Sequence, residues 1–196
     1  MIAYMTSRNV ATACLAAAAI GAVWAGESSL VWRHGADLPT PVGGHCVAPV
    51  GARVLCAGGT TWQGGQKRWL RDVSAYDVAA DRWEAVGQLP EPVGDAVGIG
   101  TGRALCIIGG GDGQHGSDRC TRLRWRGGRL TVESLPRLPA PRVYAAGGRI
   151  GHTLYVVGGA PDPGELDQAT STLFALDLQD TAQGWRTLAP LPGPAR

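Results

Sequence analysis

Trp83-Glu84-Ala85-Val86-Gly87-Gln88-Leu89-Pro90-Glu91-Pro92 recurs along the chain in a form that keeps its tryptophan and its Leu-Pro-x-Pro ending. Trp32 stands six residues ahead of Leu38-Pro39-Thr40-Pro41, and Trp185 six ahead of Leu191-Pro192-Gly193-Pro194. Val132 takes the aromatic's place ahead of Leu138-Pro139-Ala140-Pro141, so the steps between copies are 51, 49 and 53 residues. A second marker runs in phase: VLCAGG ends on Gly58-Gly59, LCIIGG on Gly109-Gly110 and LYVVGG on Gly158-Gly159. Two independent markers at one period mean that a single structural unit is stacked several times.

Residues 42–92 show what the unit is. HCVAPV and ARVLCAG are apolar segments split by a glycine turn, which predicts a hairpin. The double glycine ends the second strand, because glycine reaches positive φ and lets neighbouring backbones approach. A polar loop, TTWQGGQKRW, follows, then a third strand at DVSAYDV and an outer strand that starts at Trp83. Proline cannot continue a central ladder, so the chain leaves the unit at Leu-Pro-x-Pro. Four antiparallel strands and a crossover make a propeller blade, and a period of about fifty residues is the kelch length. The expected fold is all-β: a kelch-type β-propeller of about three four-stranded blades out of an expected six. The blades span residues 42–92, 93–141 and 142–194. An orphan outer strand over 26–41 precedes them, and residues 195–196 begin a further blade. Three blades would leave two open apolar faces. The expectation is that the chain is a fragment, or that a second copy closes the ring as a homodimer.

The formal charge is +2 with 17% charged residues, which speaks against a nucleic-acid partner. Arg122, Arg124, Arg126 and Arg129 alternate near a strand and read as a solvated face. Residues 1–25 carry Arg8 and then VATACLAAAAIGAVWA, with Val23 and Ala25 as small residues for cleavage before Gly26. This layout predicts a secretory signal peptide, a periplasmic or secreted product, and no membrane association after cleavage; the alternative is an uncleaved membrane anchor, for which the run is short. Export permits disulfides, with Cys46–Cys56 and Cys106–Cys120 as candidate pairs; the alternative is four buried thiols. The chain has no Cys-x2-Cys pair and no clustered histidines, so no metal site is expected.

AGGTTWQGGQKRWLRDVSAYD (57–77), with the Trp83 and LPEP that follow, resembles bacterial kelch proteins of the N-acetylneuraminate epimerase (sialic acid mutarotase) family. It is most similar to the branch described as cyclically permuted mutarotases. LYVVGG and LFALDLQDTAQGWRTLAPLPGPAR (173–196) resemble what non-permuted members carry near their mature N-terminus, yet here they come last. The resemblance implies an exported six-bladed propeller that interconverts the anomers of a sugar acid without a cofactor. In such chemistry a base takes the anomeric hydroxyl proton while an acid protonates the ring oxygen. In the family, a Glu and an Arg shortly after a strand-ending glycine are the catalytic candidates. Here Gly159 is followed by Ala160, Pro161, Asp162 and Pro163, so the catalytic residues stay unassigned and that blade is expected outside this chain.

Loops after the double glycines and the crossovers are expected to share one face of the disc. Trp62, Lys67, Arg68 and Trp69 occupy the longest loop, where a tryptophan can stack on a sugar and a cation can meet its carboxylate. Arg142, just past Pro141, and Arg196, two residues past Pro194, are further anion-binding candidates, Arg142 by projecting into the channel. Asp112 and His115 lie in the glycine-rich loop of the second repeat, and His45 starts an inner strand. Trp32, Trp83 and Trp185 are read as core, and Asp77 and Asp177 as turn-bonding residues. Two other functions compete: a non-catalytic module that holds a glycan or protein, and a copper oxidase of the galactose oxidase type. The latter needs Tyr and His ligands, and Tyr76, Tyr144 and Tyr155 form no cluster in the sequence.

Overall fold

The computed structural model describes residues 30–193. The signal-peptide segment and Arg196 lie outside the described residues. Among those described, no helix is long and apolar enough to cross a membrane. The chain divides into two units, residues 1–34 and 35–196. In the first, residues 30–34 carry no regular structure and Trp32 is 91% exposed. No strand forms anywhere over 30–41, so the orphan strand expected there is absent from its described part. An outer strand exists as the partner of a third strand, and each third strand here already pairs with an outer strand of its own repeat.

The second unit holds three four-stranded antiparallel sheets. Blade one contains β1 (Cys46–Val50), β2 (Arg53–Ala57), β5 (Asp72–Asp77) and β6 (Arg82–Gln88), in that order. Between β2 and β5 the expected loop is itself a hairpin, β3 (Thr60–Gln63) with β4 (Gln66–Trp69). Gly64 and Gly65 both have positive φ, 58° and 76°, which is the requirement of a two-residue hairpin turn. Blade two runs β7 (Val97–Gly100), β8 (Leu105–Ile108), β9 (Cys120–Arg126), β10 (Arg129–Leu135). Blade three runs β11 (Ala146–Ile150), β12 (Thr153–Val157), β13 (Leu173–Asp177), β14 (Arg186–Leu188). The first strands β1, β7 and β11 pack successively against one another and are the innermost.

The double glycines hold a backbone knot that repeats in every blade. Gly58, Gly109 and Gly158 donate to the carbonyls of Asp72, Arg119 and Thr172, at 2.8–3.0 Å. Gly59 and Gly110 donate to Val93 and Arg142 in the following crossovers, at 2.7 and 2.8 Å. A methyl group on Gly58 would stand 2.5 Å from the Val93 carbonyl oxygen, so a side chain there is excluded on space as well as on φ. One residue beyond each pair, Thr60, Gly111 and Ala160 exchange two bonds with Gly43, Gly94 and Val143. The pairs of glycines are thus where each strand end, loop and crossover is tied together.

Two apolar clusters lie between the blades. Leu55, Val73 and Ala75 of blade one meet Leu105, Ile107 and Leu123 of blade two. Ile99, Cys106 and Ile108 of blade two meet Leu154, Val156, Phe174 and Leu176 of blade three. Each such buried aliphatic contributes roughly 1.5–3 kcal/mol. Trp83 and Trp185 are half-buried, not core, and Trp185 packs against the second cluster. The Trp83 indole N–H donates to the Ala36 carbonyl at 3.0 Å, and that of Trp185 to Pro136 at 2.8 Å. Ala36 and Pro136 each lie two residues before a Leu-Pro, so the indole sews an outer strand to the preceding repeat.

Neither candidate disulfide is present; all four described cysteines are free and buried. Cys46 pairs with Ala57 and Cys56 with Val47, so the one-residue offset turns the two thiols to opposite sheet faces. Cys106 and Cys120 share a face but stand opposite Arg122 and Ile108, a diagonal away from each other. Among the four arginines read as a solvated stripe, Arg122 and Arg124 both pair with Glu133, at 2.7 and 3.0 Å, while Arg126 and Arg129 are exposed. Asp77 accepts from Ala79 and Ala80, and Asp177 from Gln179, which are the turn roles expected of them.

Candidate functional site

Three equivalent residues stand two positions ahead of the innermost strands: Gly44, Asp95 and Tyr144, each the third after its Leu-Pro-x-Pro. Asp95 N–H donates to the Gly44 carbonyl at 2.8 Å, and Tyr144 N–H to that of Asp95 at 3.1 Å. All three have left-handed backbone, φ 59°, 56° and 57°. Glycine adopts it freely, aspartate with tolerance, and tyrosine at a cost of about 1–3 kcal/mol. Such strain persists only where the surroundings dictate it, and here the ladder from blade to blade does so. Asp95 and Tyr144 line a cavity of about 190 Å³ at this end of the first strands, and the Asp95 carboxylate lies against Gly44.

The β3–β4 hairpin supplies the other wall. Pairing of Thr60 with Trp69 and Trp62 with Lys67 sets these residues on one hairpin face, and Thr61 with Arg68 on the other. Trp69 lies against Gly94 and Gly113 of blade two, where the missing side chains form a seat for the indole; its Nε1 would stand 3.3 Å from a methyl on Gly94. The Lys67 ammonium lies 4.9 Å from the Trp69 ring centroid, held there by the ring's negative face. Lys67, Trp69, Asp95 and Tyr144 therefore converge on one opening. The site combines a cation, an aromatic face, a carboxylate and a phenol, which together can pair with an anion, stack on an apolar face and move a proton.

The remaining sequence candidates fall elsewhere. Trp62 is 71% exposed on the hairpin and Arg68 points from its opposite face; neither lines this cavity. Arg142 does not project into the channel. It is buried, donates to its neighbour Pro141's carbonyl at 2.6 Å, and lies 5.3 Å over the Phe174 ring. Its Nε has no partner, and burial lowers its pKa. Asp112 accepts from the N–H groups of His115 and Gln114, and those bonds lower its pKa; His115 is exposed. His45 Nδ1 is buried without a partner. Asp95 does not stand out in the sequence because nothing in its neighbours announces a ligand, and Tyr144 reads there only as a candidate copper ligand. Their common place three residues after the crossover is the signal that finds both.

A second, larger cavity of about 340 Å³ adjoins the first at Gly111 and lies between the blade-one crossover at Leu89–Val93 and the blade-two loop. Glu91 pairs with Arg119 at 2.8 Å and Asp118 with Arg137 at 2.6 Å around it.

No protein-family model matches the chain. It is 35% identical to N-acetylneuraminate epimerase of Yersinia pestis over 72 residues, which are 36% of this chain and 18% of that protein. It is 28% identical over 177 residues to the Kelch-like protein terF of Aspergillus terreus, covering 82% of this chain and 36% of that one. It is 34% identical over 154 residues to acyl-CoA-binding domain-containing protein 5 of Arabidopsis thaliana, covering 74% of this chain and 22% of that one. The chain thus spans well under half the length of these relatives. The solved structure of YjhT superposes with a TM-score of 0.70 at 16% identity, over 84% of this chain and 57% of that chain. The recurring blades, the repeat length and these likenesses together make the described unit three consecutive blades of a kelch-type β-propeller.

Proposed function

We propose that this chain belongs to a propeller that binds a sugar acid at the channel mouth and interconverts its anomers, with N-acetylneuraminate or a close relative as substrate. The convergence of Lys67, Trp69, Asp95 and Tyr144 on one opening carries the reading. The stretch similar to an N-acetylneuraminate epimerase supports the choice of substrate. Lys67 meets the sugar carboxylate and Trp69 takes an apolar ring face. Asp95 accepts the anomeric hydroxyl proton as the bond from the anomeric carbon to the ring oxygen breaks. The Tyr144 hydroxyl gives its proton to that ring oxygen. Rotation and the reverse transfers then close the other anomer, with no net change in the protein. We further propose that the protein is exported, that its blades follow the permuted order, and that additional blades or a second copy complete the ring.

Exchange between the α and β anomers of N-acetylneuraminate, followed by saturation-transfer NMR with the full-length product, tests this reading. Acceleration that falls by about a hundredfold or more in Asp95→Asn supports it. Binding that shifts resonances around Lys67 without accelerating exchange would instead make the protein a non-catalytic glycan-binding module.

A further inference from the structure

Comparing the two blade interfaces sets the 340 Å³ cavity apart. The bonds from Gly109 to Arg119 and from Gly158 to Thr172 align Thr121 with Phe174, and the crossovers align Val93 with Arg142. Between blades two and three this pair is a large plug: the Arg142 guanidinium lies 5.3 Å from the Phe174 ring centroid, both side chains buried. Between blades one and two the same positions hold valine and threonine, and the space stays open. The opening is therefore set by two small residues in a place where the same fold accommodates two large ones.

Its lining states what it takes. The floor is aliphatic, with Leu89, Ile107 and Leu135. At the polar rim Glu91 pairs with Arg119 and Asp118 with Arg137, and Asp112 accepts from the Gln114 and His115 N–H groups. The Thr121 and Ser134 positions add hydroxyl groups to the wall. An ion would have to break one of these pairs, whereas a hydroxyl can donate to a carboxylate and accept from a guanidinium without separating them. An apolar floor beneath alternating donors and acceptors fits the two faces of a pyranose ring, and the volume is in the range of roughly 300–1,000 Å³ usual for small-ligand sites. The geometry points to a second binding site, for a neutral saccharide, between blades one and two, next to the cavity of Lys67 and Tyr144 and sharing only Gly111 with it.

Titration of the full-length protein with lactose, galactose and N-acetylglucosamine, followed by amide NMR, tests the site. Glucuronate and glucosamine serve as charged controls. The expected result is shifts of the Thr121, Ser134 and Leu135 amides, with neutral sugars binding about tenfold or more tightly than the charged ones. The double variant V93R/T121F, which copies the neighbouring plug, should abolish those shifts and leave anomer exchange unaltered. Glu91→Gln, a change at the exposed rim, should weaken binding with no loss of folding. Tighter binding of the charged sugars, unmoved amides, or binding that survives both variants would overturn the assignment. Because anomer exchange is read separately, failure here and failure at the channel mouth are distinguishable.

Discussion

The indole nitrogen of Trp185 reaches the backbone carbonyl of Pro136 at 2.8 Å across 49 residues of sequence, joining blade three to the exit of blade two. The equivalent bond from Trp83 to Ala36 shows why the aromatic keeps a fixed distance ahead of Leu-Pro-x-Pro: one end belongs to each repeat. Trp185→Phe keeps most of the ring and removes the donor, leaving a partly buried carbonyl unpaired. The expected loss is about 1–3 kcal/mol, read as a lower urea midpoint. Val132→Phe, at a position with no indole to lose, should change stability by no more than about 0.5 kcal/mol.

Gly159 and Gly151 separate two effects of left-handed backbone. Both have positive φ, 80° and 57°, but a methyl on Gly159 would stand 2.6 Å from the Val143 carbonyl oxygen, whereas Gly151 has nothing within 4 Å. Gly159→Ala should cost about 2–4 kcal/mol, and Gly151→Ala about 1 kcal/mol. Equal losses in thermal unfolding would mean that the glycine knot is not close-packed.

The hairpin is seated on glycine. In Gly113→Ala the new methyl takes the place of the Trp69 ring, so β3–β4 should lift while the blades remain folded. Trypsin cleavage after Lys67 and Arg68 should rise several-fold, with little change in the global unfolding midpoint. A cleavage rate equal to the parent's would show that the hairpin is held by other contacts.

Burial pushes the Cys46 and Cys120 thiols up to about 12 and Cys106 to about 11. The thiols therefore stay protonated at neutral pH, and in the folded protein they should react with a disulfide reagent only at the rate of opening. Since the folded state holds these protons more tightly than the unfolded one, their contribution is complete below about pH 9 and is lost as pH rises from 9 toward 12. Denaturant midpoints measured across that window should fall. Rapid stoichiometric labelling at pH 8 without denaturant would contradict the buried placement.

Arg142 is buried with its Nε unpartnered and no carboxylate beside it among the described residues. Replacement by methionine keeps the contact with Phe174 and removes an uncompensated charge. Arg142→Met should be neutral or stabilising by about 1 kcal/mol in urea unfolding. A loss of several kcal/mol would show that the guanidinium has a partner in the complete ring.

Much of this architecture was legible because its markers are backbone requirements. Positive φ with no space for a Cβ at the paired glycines, and the missing N–H of the prolines, are met by other residues only at a cost, so they recur wherever a blade turns. Side-chain positions were less legible. The β3–β4 hairpin reads as a loop because its strands are polar and only four residues each, although Gly64-Gly65 marks the turn. Trp32 reads as core by analogy with Trp83, yet the analogy needs a ladder that the described part of its segment does not form. The cysteine pairs follow from spacing across turns, and a one-residue register offset overrides that for Cys46 and Cys56. Trp125 escaped notice because it stands on β9, outside the recurring motif; it packs at the first interface with Arg53 5.8 Å over its ring. At the channel mouth the hairpin cation and aromatic were legible, while Asp95 and Tyr144 emerge only from the strand-to-strand ladder.

The backbone bond that ends each excursion beyond the double glycines is the same for spans of different length: Gly59 to Leu70, Gly110 to Ser117, Gly159 to Thr170. Chain can be inserted or removed above it without strain reaching the sheets below. The polar face is thus a set of exchangeable cassettes on an indifferent chassis. Recognition can diversify there by segment replacement, one repeat at a time, while stability is inherited unchanged.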